Sequence, residues 1–367
     1  MRAKNFVLLA IGLVPVFFTA YLLLFLFQLN ASVGADYWVN DAYTYKDYRA
    51  KGMSSKKIII IGGSNALFGI NSEIIEKLTG YPVLNLATHA GLNMDYFCYK
   101  LEQYVGQEDI VVMPLEFSFY TTGENITDLF SNNMMSWGRD YLLQLPFTDF
   151  LKFVLVAEPD RVLAGVIKQV ETKGVNYNLL TQKEIVNTLQ KIWSTGDGKW
   201  RGYSYKSLNR FGDVNVALPL EYHKDSAYFK QGQEISSHFL KVYAKIEKLV
   251  RVNNGKLYLT YPVTMKNEKF DLGEMESRVR VKNLEKSLDA FDIKMYCNPA
   301  LFNLDVEYFY NTNYHPNKYG ALVRSENLAI CLNRLEDTGD KREMSFKEAI
   351  ERTTKLQKKY TNQLNKL

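Results

Sequence analysis

The segment Ile58–Ile70, IIIIGGSNALFGI, decides the fold of this chain. Its run of isoleucines predicts a short, fully buried β-strand, and the two glycines that follow permit a tight turn and the close approach of another group. A helical pattern comes soon after, so the hydroxyl of Ser64 is expected at the carboxyl end of a buried strand. Ligands of open α/β sheets bind at that edge, which makes Ser64 the first candidate functional residue.

Strand-like runs separated by helical patterns extend this start into a sheet. The predicted strands are Lys57–Ile61, Val83–Leu86, Asp109–Met113, Lys256–Tyr261 and Ile293–Cys297, and the predicted helices are Ser72–Leu78, Met94–Val105, Glu234–Val250, Gly273–Ala290 and Asn317–Leu335. Ser72 is the expected N-cap of the first helix and Gly80 its stop. Continuous apolar strands between helices indicate a parallel sheet covered on both faces. The predicted fold class is therefore α/β, a three-layer α/β/α arrangement with a mainly parallel sheet.

Residues from about 121 to 230 interrupt this pattern. They are polar and aromatic, without clear strands, and have helical spacing near Asp140–Val156 and Gln182–Trp193. We therefore expect a helical insertion at about 121–230 within one α/β domain that spans residues 36–336. Residues 337–367 are rich in charge and predict a helical tail.

The N-terminus carries an almost unbroken apolar run, Phe6–Phe27, with no charge between Lys4 and Asp36. About 20 such residues in a helix cross a hydrocarbon core of about 30 Å, and basic residues before the run favour a cytoplasmic N-terminus. Residues 1–35 are therefore predicted to be a single-pass anchor in the cytoplasmic membrane, with the main domain outside the cytoplasm. A cleaved secretory signal is the alternative, although signal cores usually have only about 7–15 apolar residues.

Charge and cysteine content narrow the function. The net charge of +5 is modest, so a nucleic-acid partner is not expected. Three cysteines exclude a disulfide-framework protein, but an oxidising compartment permits one bridge, for which Cys297 and Cys331 are the favoured pair. No cysteine lies in a CxxC or a zinc-type histidine spacing, and no metal or organic cofactor is implied.

A base for Ser64 is available late in the chain. The segment Tyr310–Gly320 reads YNTNYHPNKYG and places His315 just before a predicted helix. Histidine is the usual general base near neutral pH. Of the other histidines, His89 follows the second strand and is the one competitor. The alternatives are a purely structural histidine and a serine that only caps a helix.

Four segments taken together resemble the SGNH (GDSL-like) hydrolase superfamily. They are GGSNALFG at 62–69, NLATHAGLNMDY at 85–96, DIVVMPLEFSFY at 109–120 and NTNYHPNKYG at 311–320. More narrowly, the chain resembles membrane-anchored bacterial members that serve cell-surface polysaccharides, such as alginate-type O-acetyltransferase proteins and the teichoic-acid D-alanyl transfer protein. The resemblance covers about 57–120 and 255–335, which is most of the sheet without the insertion.

The resemblance implies roles for particular residues. Ser64 falls at the family's nucleophile and His315 at its histidine. The backbone N–H groups of Ser64 and of Gly91, at the second motif's glycine, would donate to the oxyanion. Such preorganised donors commonly contribute about 3 kcal/mol each to stabilising the transition state.

Two positions depart from the family pattern. Glu116 stands where an asparagine usually donates to the oxyanion, so either Asn65 or Asn93 replaces that donor or the oxyanion hole works with two donors. Asn311 and Thr312 stand where an acid is expected before His315. Three alternatives follow: a serine–histidine dyad of weak activity with Asn311 orienting the imidazole, a carboxylate supplied by Asp305 or Glu116, and a non-catalytic relic.

These observations predict a membrane-anchored acyltransferase or acylesterase that acts on an extracytoplasmic polysaccharide through a serine acyl-enzyme. A membrane-embedded acyl exporter or polysaccharide synthase is the expected protein partner, by resemblance. The alternative is a non-catalytic accessory or scaffold protein of a polysaccharide synthesis or export assembly. A carbohydrate-binding module built around the aromatic insertion is a third option.

Overall fold

The computed structural model describes residues 2–53, 56–196, 199–215, 226, 228–229, 232–337 and 344–364, with side chains from residue 12 to residue 361. Parts of the predicted insertion and tail, and His223 within the insertion, lie outside the described residues. The chain divides into two compact units: unit 1 comprises residues 1–40 and 126–181, and unit 2 comprises residues 41–125 and 182–367. The predicted insertion is therefore shared between the two units.

Helices and strands alternate through unit 2, whereas the elements of unit 1 are helical in the described residues. The strands are β1 (Ile58–Ile60), β2 (Val83–Asn85), β3 (Ile110–Pro114), β4 (Lys256–Thr260), β5 (Thr264–Met265), β6 (Met295–Tyr296) and β7 (Asn303–Leu304). The α-helices are α1 (Arg2–Gln28), α2 (Tyr37–Lys51), α3 (Ser64–Gly69), α4 (Ser72–Thr79), α5 (Met94–Glu102), α6 (Ser118–Thr121), α7 (Asp128–Trp137), α8 (Arg139–Gln144), α9 (Phe147–Val156), α10 (Pro159–Glu171), α11 (Gln182–Ser194), α12 (Ser237–Val252), α13 (Met275–Asp289), α14 (Lys318–Glu336) and α15 (Phe346–Leu364).

The main sheet has five parallel strands in the order β2-β1-β3-β4-β6. Each predicted strand is present, and the predicted α/β class with a mainly parallel sheet is confirmed. β1 pairs with β2 on one side and with β3 on the other, with Ile60 opposite both Asn85 and Val112. The three strands are buried throughout, which is why they read as continuous apolar runs.

The strand order creates a topological switch point at the carboxyl ends of β1 and β3. The chain leaves β1 toward β2, whereas the later strands add on the opposite side. Loops that leave such a point diverge and open a crevice, which is where open α/β sheets bind ligands. Ser64 follows β1 and Glu116 follows β3, so the sheet brings both segments to this crevice.

Caps set the ends of the helices near the crevice. Asn71, not Ser72, is the N-cap of α4, because its side chain accepts the N–H of Ile74 at 3.1 Å. The N-cap prediction for Ser72 was therefore wrong, and its hydroxyl donates to Asp213 at 2.9 Å instead. Gly80 ends α4 with φ at 76°, which confirms the predicted stop, since a left-handed cap favours glycine.

Several helices differ from the sequence prediction. The single helix expected near Asp140–Val156 is two helices, α8 and α9, since Pro146 precedes the second with an extended ψ of 143°. Five α-helices, α2, α3, α6, α7 and α10, were not predicted individually. The helix α15 lies in the same unit as the sheet, where Thr353 donates to the carbonyl of Ala300 at 3.1 Å and accepts from Asn327 at 3.1 Å.

Unit 1 is organised around the C-terminal half of α1. The ring of Phe25 lies against Phe150 and Phe153 of α9, at 5.9 and 6.2 Å between centroids. Arg161 of α10 donates to Gln28 at 3.2 Å. In the part of the chain that the structure describes, no helix has both the length and the apolar character that crossing a membrane requires.

A disulfide joins Cys297, directly after β6, to Cys331 in α14, with 5.7 Å between the two Cα atoms. This confirms the pair that the sequence favoured. Cys98 is a free thiol and is buried in α5. The bridge ties the last strand of the sheet to the helix that follows His315.

Candidate active site

Ser64 and His315 meet at the carboxyl edge of the sheet. Ser64 is the first residue of α3, and Gly63 is the N-cap, so Ser64 does not have the capping role. Its Oγ lies 2.8 Å from Nε2 of His315. The two candidate residues, 251 positions apart in the sequence, are therefore in hydrogen-bond contact, as the sequence predicted.

Only glycine fits immediately before the serine. A Cβ on Gly63 would lie 2.5 Å from Oε1 of Glu116 and 2.8 Å from the Cβ of Ala90. These distances are shorter than any van der Waals contact, so the loops after β1, β2 and β3 converge on this one position. The close approach is what the double glycine in the sequence makes possible.

Asn311 orients the imidazole. Nδ1 of His315 lies 2.9 Å from Oδ1 of Asn311. An amide oxygen only accepts hydrogen bonds, so Nδ1 carries the proton and the lone pair of Nε2 faces the hydroxyl of Ser64. Nδ2 of Asn311 in turn donates to the hydroxyl of Tyr203 at 2.8 Å. This chain of contacts holds the tautomer that a general base for serine requires.

The loop around His315 is closed by its own backbone. Tyr310 donates its N–H to the carbonyl of His315 at 2.8 Å, and the N–H of His315 points to Oγ1 of Thr312 at 3.1 Å. Asn317 caps α14 by accepting the N–H groups of Tyr319 and Gly320. Thr312 therefore supports the loop and has no contact with the imidazole nitrogens.

His315 is kept in its neutral form. The residue is 8% exposed, and its ring stacks on Phe68 with 4.4 Å between centroids and 8° between planes. Burial, with a smaller electrostatic effect of the nearby His89, lowers the pKa of His315 from 6.5 to about 4. At neutral pH the imidazole is therefore available as a base.

This shift predicts a stability effect in acid. Because the folded-state pKa of His315 lies below its value of 6.5, the unfolded chain binds the proton more tightly, and stability falls as the pH drops from 6.5 toward 4. We expect the free energy of unfolding of the wild type, relative to His315→Gln, to decline by about 3 kcal/mol across that window. Urea unfolding of both proteins at neutral and acidic pH measures the difference, and a difference that stays constant with pH contradicts the burial effect.

A buried polar cluster lies behind the serine. The N–H of Asn65 donates to Oε1 of Glu116 at 3.0 Å, and its side-chain Nδ2 donates to the carbonyl of Pro114 at 2.9 Å. Arg324 donates to the carbonyl of Asn65 at 2.5 Å and to its Oδ1 at 2.7 Å. The amide of Asn65 thus faces the core, and its prediction as an oxyanion donor was wrong.

Glu116 also belongs to this cluster. It is 3% exposed, and burial raises the pKa of its carboxyl, an effect that its hydrogen bonds to Asn65 and the charge of Arg324 oppose. Neither Glu116 nor Asp305 takes the place of the missing acid. Asp305 pairs with Lys266 at 2.9 Å, and Nδ1 of His315 has Asn311 as its partner.

The loop after β2 supplies two other predicted residues. Gly91 donates its N–H to Nδ1 of His89 at 2.8 Å, so this predicted oxyanion donor is engaged by an imidazole in the present conformation. Asn93 caps α5, with Oδ1 accepting the N–H of Tyr96 at 3.1 Å. The competitor histidine, His89, therefore lies near the site but does not replace His315 as the partner of Ser64.

Three residues of the site were not predicted from the sequence. Phe68 covers the imidazole, Tyr203 contacts Asn311, and Arg324 braces the serine loop. Arg324 could have been recognised, because it is a charged residue among apolar ones on the buried side of its helix. No pattern in the sequence indicates Tyr203, since it lies in a turn-rich segment whose position depends on the tertiary fold.

The arrangement defines a parallel α/β protein with a Ser–His–Asn constellation at the switch point of its sheet. No model of a known protein family matches the chain, and no curated protein matches it significantly.

Proposed function

We propose that this protein is a membrane-anchored acyltransferase or acylesterase, SGNH-like in its three-layer fold, that acts on an extracytoplasmic polysaccharide. The observation that carries the proposal is the 2.8 Å contact between Oγ of Ser64 and Nε2 of His315, with Asn311 on the other ring nitrogen. A neutral imidazole in this tautomer can accept the hydroxyl proton, which is the requirement for a serine nucleophile.

The reaction would run in two steps. Oγ of Ser64 attacks the acyl carbonyl while His315 takes its proton, which gives a tetrahedral intermediate. The bond from the acyl carbon to the leaving group then breaks, His315 gives the proton to the leaving group, and the acyl group stays on Ser64 as an ester. A sugar hydroxyl, or water, next attacks the acyl-enzyme and gives its proton to His315. His315 returns this proton to Oγ as the ester bond to Ser64 breaks, which releases the acylated product and the free serine. The oxyanion would be held by the backbone N–H of Ser64 and, once substrate displaces His89, by that of Gly91.

Aromatic side chains beside the dyad support a carbohydrate acceptor. Tyr203 is 45% exposed and its ring lies 6.5 Å from that of His315. Trp200 packs against Tyr203 at 5.7 Å between centroids. Both come from the segment that follows the predicted insertion's last helix, so this part of the chain contributes a partly exposed aromatic surface at the place where an acyl acceptor must approach.

The proposed location has two supports. The uncharged run Phe6–Phe27 suits an anchor, and the disulfide between Cys297 and Cys331 suits an oxidising compartment. An activated acyl donor would then have to be supplied outside the cytoplasm. A membrane-embedded acyl exporter or a polysaccharide synthase is the proposed partner for that reason.

The test uses the full chain in detergent, treated with a fluorophosphonate probe and with p-nitrophenyl acetate. We expect covalent labelling and ester hydrolysis that both disappear in Ser64→Ala and persist in Ser118→Ala, a matched control at an exposed serine after β3. Trp200→Ala should raise KM for an oligosaccharide acceptor and leave the hydrolysis of p-nitrophenyl acetate unchanged.

A non-catalytic accessory protein is the second candidate. The amide of Asn311 in place of an acid and the engagement of the Gly91 N–H by His89 favour it. If correctly folded protein takes up no probe and hydrolyses no ester at neutral or mildly alkaline pH, the accessory role replaces the enzyme.

A further inference from the structure

We propose that the hairpin formed by α9 and α10 lies in the interfacial region of a phospholipid bilayer, beside the anchor helix. This inference rests on the membrane attachment in the proposed function and goes beyond it, since it assigns a second lipid-contacting surface. Hairpin here means Phe147–Glu171, with its tip at Leu155–Asp160.

Exposed apolar side chains are concentrated in unit 1. Of the 26 large hydrophobic side chains that are exposed in the described residues, 18 belong to unit 1, and eight of these lie on α1. Single exposed apolar residues are normal on any protein, whereas a cluster of them marks a contact surface. The exposed apolar side chains of unit 1 therefore form a cluster that indicates a contact surface.

The hairpin carries most of the exposed apolar side chains of unit 1 that lie outside α1. Phe147, Leu155 and Val156 of α9 are 72%, 68% and 54% exposed. On α10 the exposed apolar residues are Leu163, Ile167 and Val170, at the spacing that places them on one face of a helix. The opposite face of α10 is already used, because Arg161, Val162, Gly165 and Gln169 are its buried residues.

Two hydrogen bonds show where along α1 the tip of the hairpin lies. The hydroxyl of Tyr21 donates to the carbonyl of Ala157 at 3.1 Å, whereas Gln169, near the other end of α10, donates to the carbonyl of Leu29 at 2.8 Å. The tip therefore lies beside the apolar run of α1, and the far end of α10 lies beyond it. From Tyr21 to Phe27, where the run ends, a helix rises about 9 Å.

The level of the hairpin tip along α1 indicates which part of the bilayer the hairpin contacts. Interfacial helices bury their apolar faces about 5–10 Å into the boundary between headgroups and acyl chains, which matches the level of the tip. Glu158 and Asp160 at the tip are exposed, so the hairpin belongs at the headgroup boundary, not in the hydrocarbon centre. Because these charges are acidic, a zwitterionic lipid surface suits the tip better than an anionic one.

Single-cysteine labelling of the full chain in phosphatidylcholine vesicles tests the proposal. The native cysteines do not compete, since Cys98 is buried and the other two form the disulfide. An environment-sensitive fluorophore is attached at Leu155→Cys, at Phe17→Cys as the anchor reference, or at Glu171→Cys as the matched control at the far end of α10. Quenching is measured with iodide in water and with lipid nitroxides placed near the headgroup or at the end of the acyl chain.

We expect the label at Leu155→Cys to be quenched by the headgroup-level nitroxide, the one at Phe17→Cys by the deeper nitroxide, and the one at Glu171→Cys by iodide. Val156→Cys repeats the first measurement in case Leu155→Cys does not fold.

Iodide quenching at both tip positions, with Phe17→Cys still quenched by lipid, overturns the hairpin proposal and leaves the anchor. A tip shielded from iodide but not quenched by any lipid nitroxide shows a protein contact and also overturns it. Iodide quenching at Phe17→Cys removes the membrane attachment itself, while fluorophosphonate labelling of Ser64 reports separately on the enzyme.

Discussion

Replacing His315 with alanine is expected to lower kcat/KM for ester hydrolysis by about 10²–10⁴-fold, the usual contribution of a positioned general base. The imidazole is the group in contact with Oγ of Ser64, at 2.8 Å, and a serine hydroxyl is a weak nucleophile without a base beside it. The effect should fall on acylation, so labelling by a fluorophosphonate should slow together with hydrolysis. Steady-state kinetics with p-nitrophenyl acetate and the time course of labelling measure both.

Two controls separate catalysis from folding. His315→Gln keeps a polar side chain of similar length and should be nearly as inactive as His315→Ala, because an amide cannot act as a base at neutral pH. His238→Ala removes a histidine that pairs with Asp95 at 3.1 Å, and it should retain activity. Hydrolysis at the wild-type rate in a folded His315→Ala protein contradicts the role given to the dyad.

The strands and the dyad could be predicted from the sequence because they depend on short-range patterns. A short apolar run such as Ile58–Ile61 that ends at two glycines is typical of a buried strand. Ser64 then follows a strand end, and His315 precedes a helix. Their meeting needed only the rule that functional groups gather at the carboxyl edge of a parallel sheet.

The oxyanion donors could not be predicted in the same way. Neighbouring residues on a helix point about 100° apart, so Asn65 turns toward the core when Ser64 faces the crevice. Arg324 donates a hydrogen bond to the amide oxygen of Asn65 there. That rotation could not be predicted, because no helix was expected to start at Ser64. Asn93 was likewise drawn into capping α5, which is a common use of asparagine.

Arg324→Met is expected to lower the free energy of unfolding by about 3–5 kcal/mol, because a buried cation and its two hydrogen bonds to Asn65 are lost and the buried Glu116 loses a nearby positive charge. Arg324 is 1% exposed, and it fills the space beside Gly69, where a Cβ would lie 2.3 Å from Nη1. Burial lowers the pKa of the guanidinium to about 9, so it remains charged at neutral pH. Its loss leaves a cavity, two acceptors on Asn65 without their donor, and Glu116 without a nearby cation.

Urea unfolding measures this loss, and two further variants interpret it. Arg334→Met, on the same helix but half-buried, should change stability by less than about 0.5 kcal/mol. Adding Glu116→Gln to Arg324→Met should recover part of the loss, since the double variant also removes the buried acidic group that has lost its nearby cation. An Arg324→Met protein as stable as the wild type contradicts a bracing role for this arginine.

Because Asn65 directly follows the nucleophile, a destabilised but folded Arg324→Met should also take up the fluorophosphonate more slowly. Slower labelling would show that the buried cation helps to position Ser64.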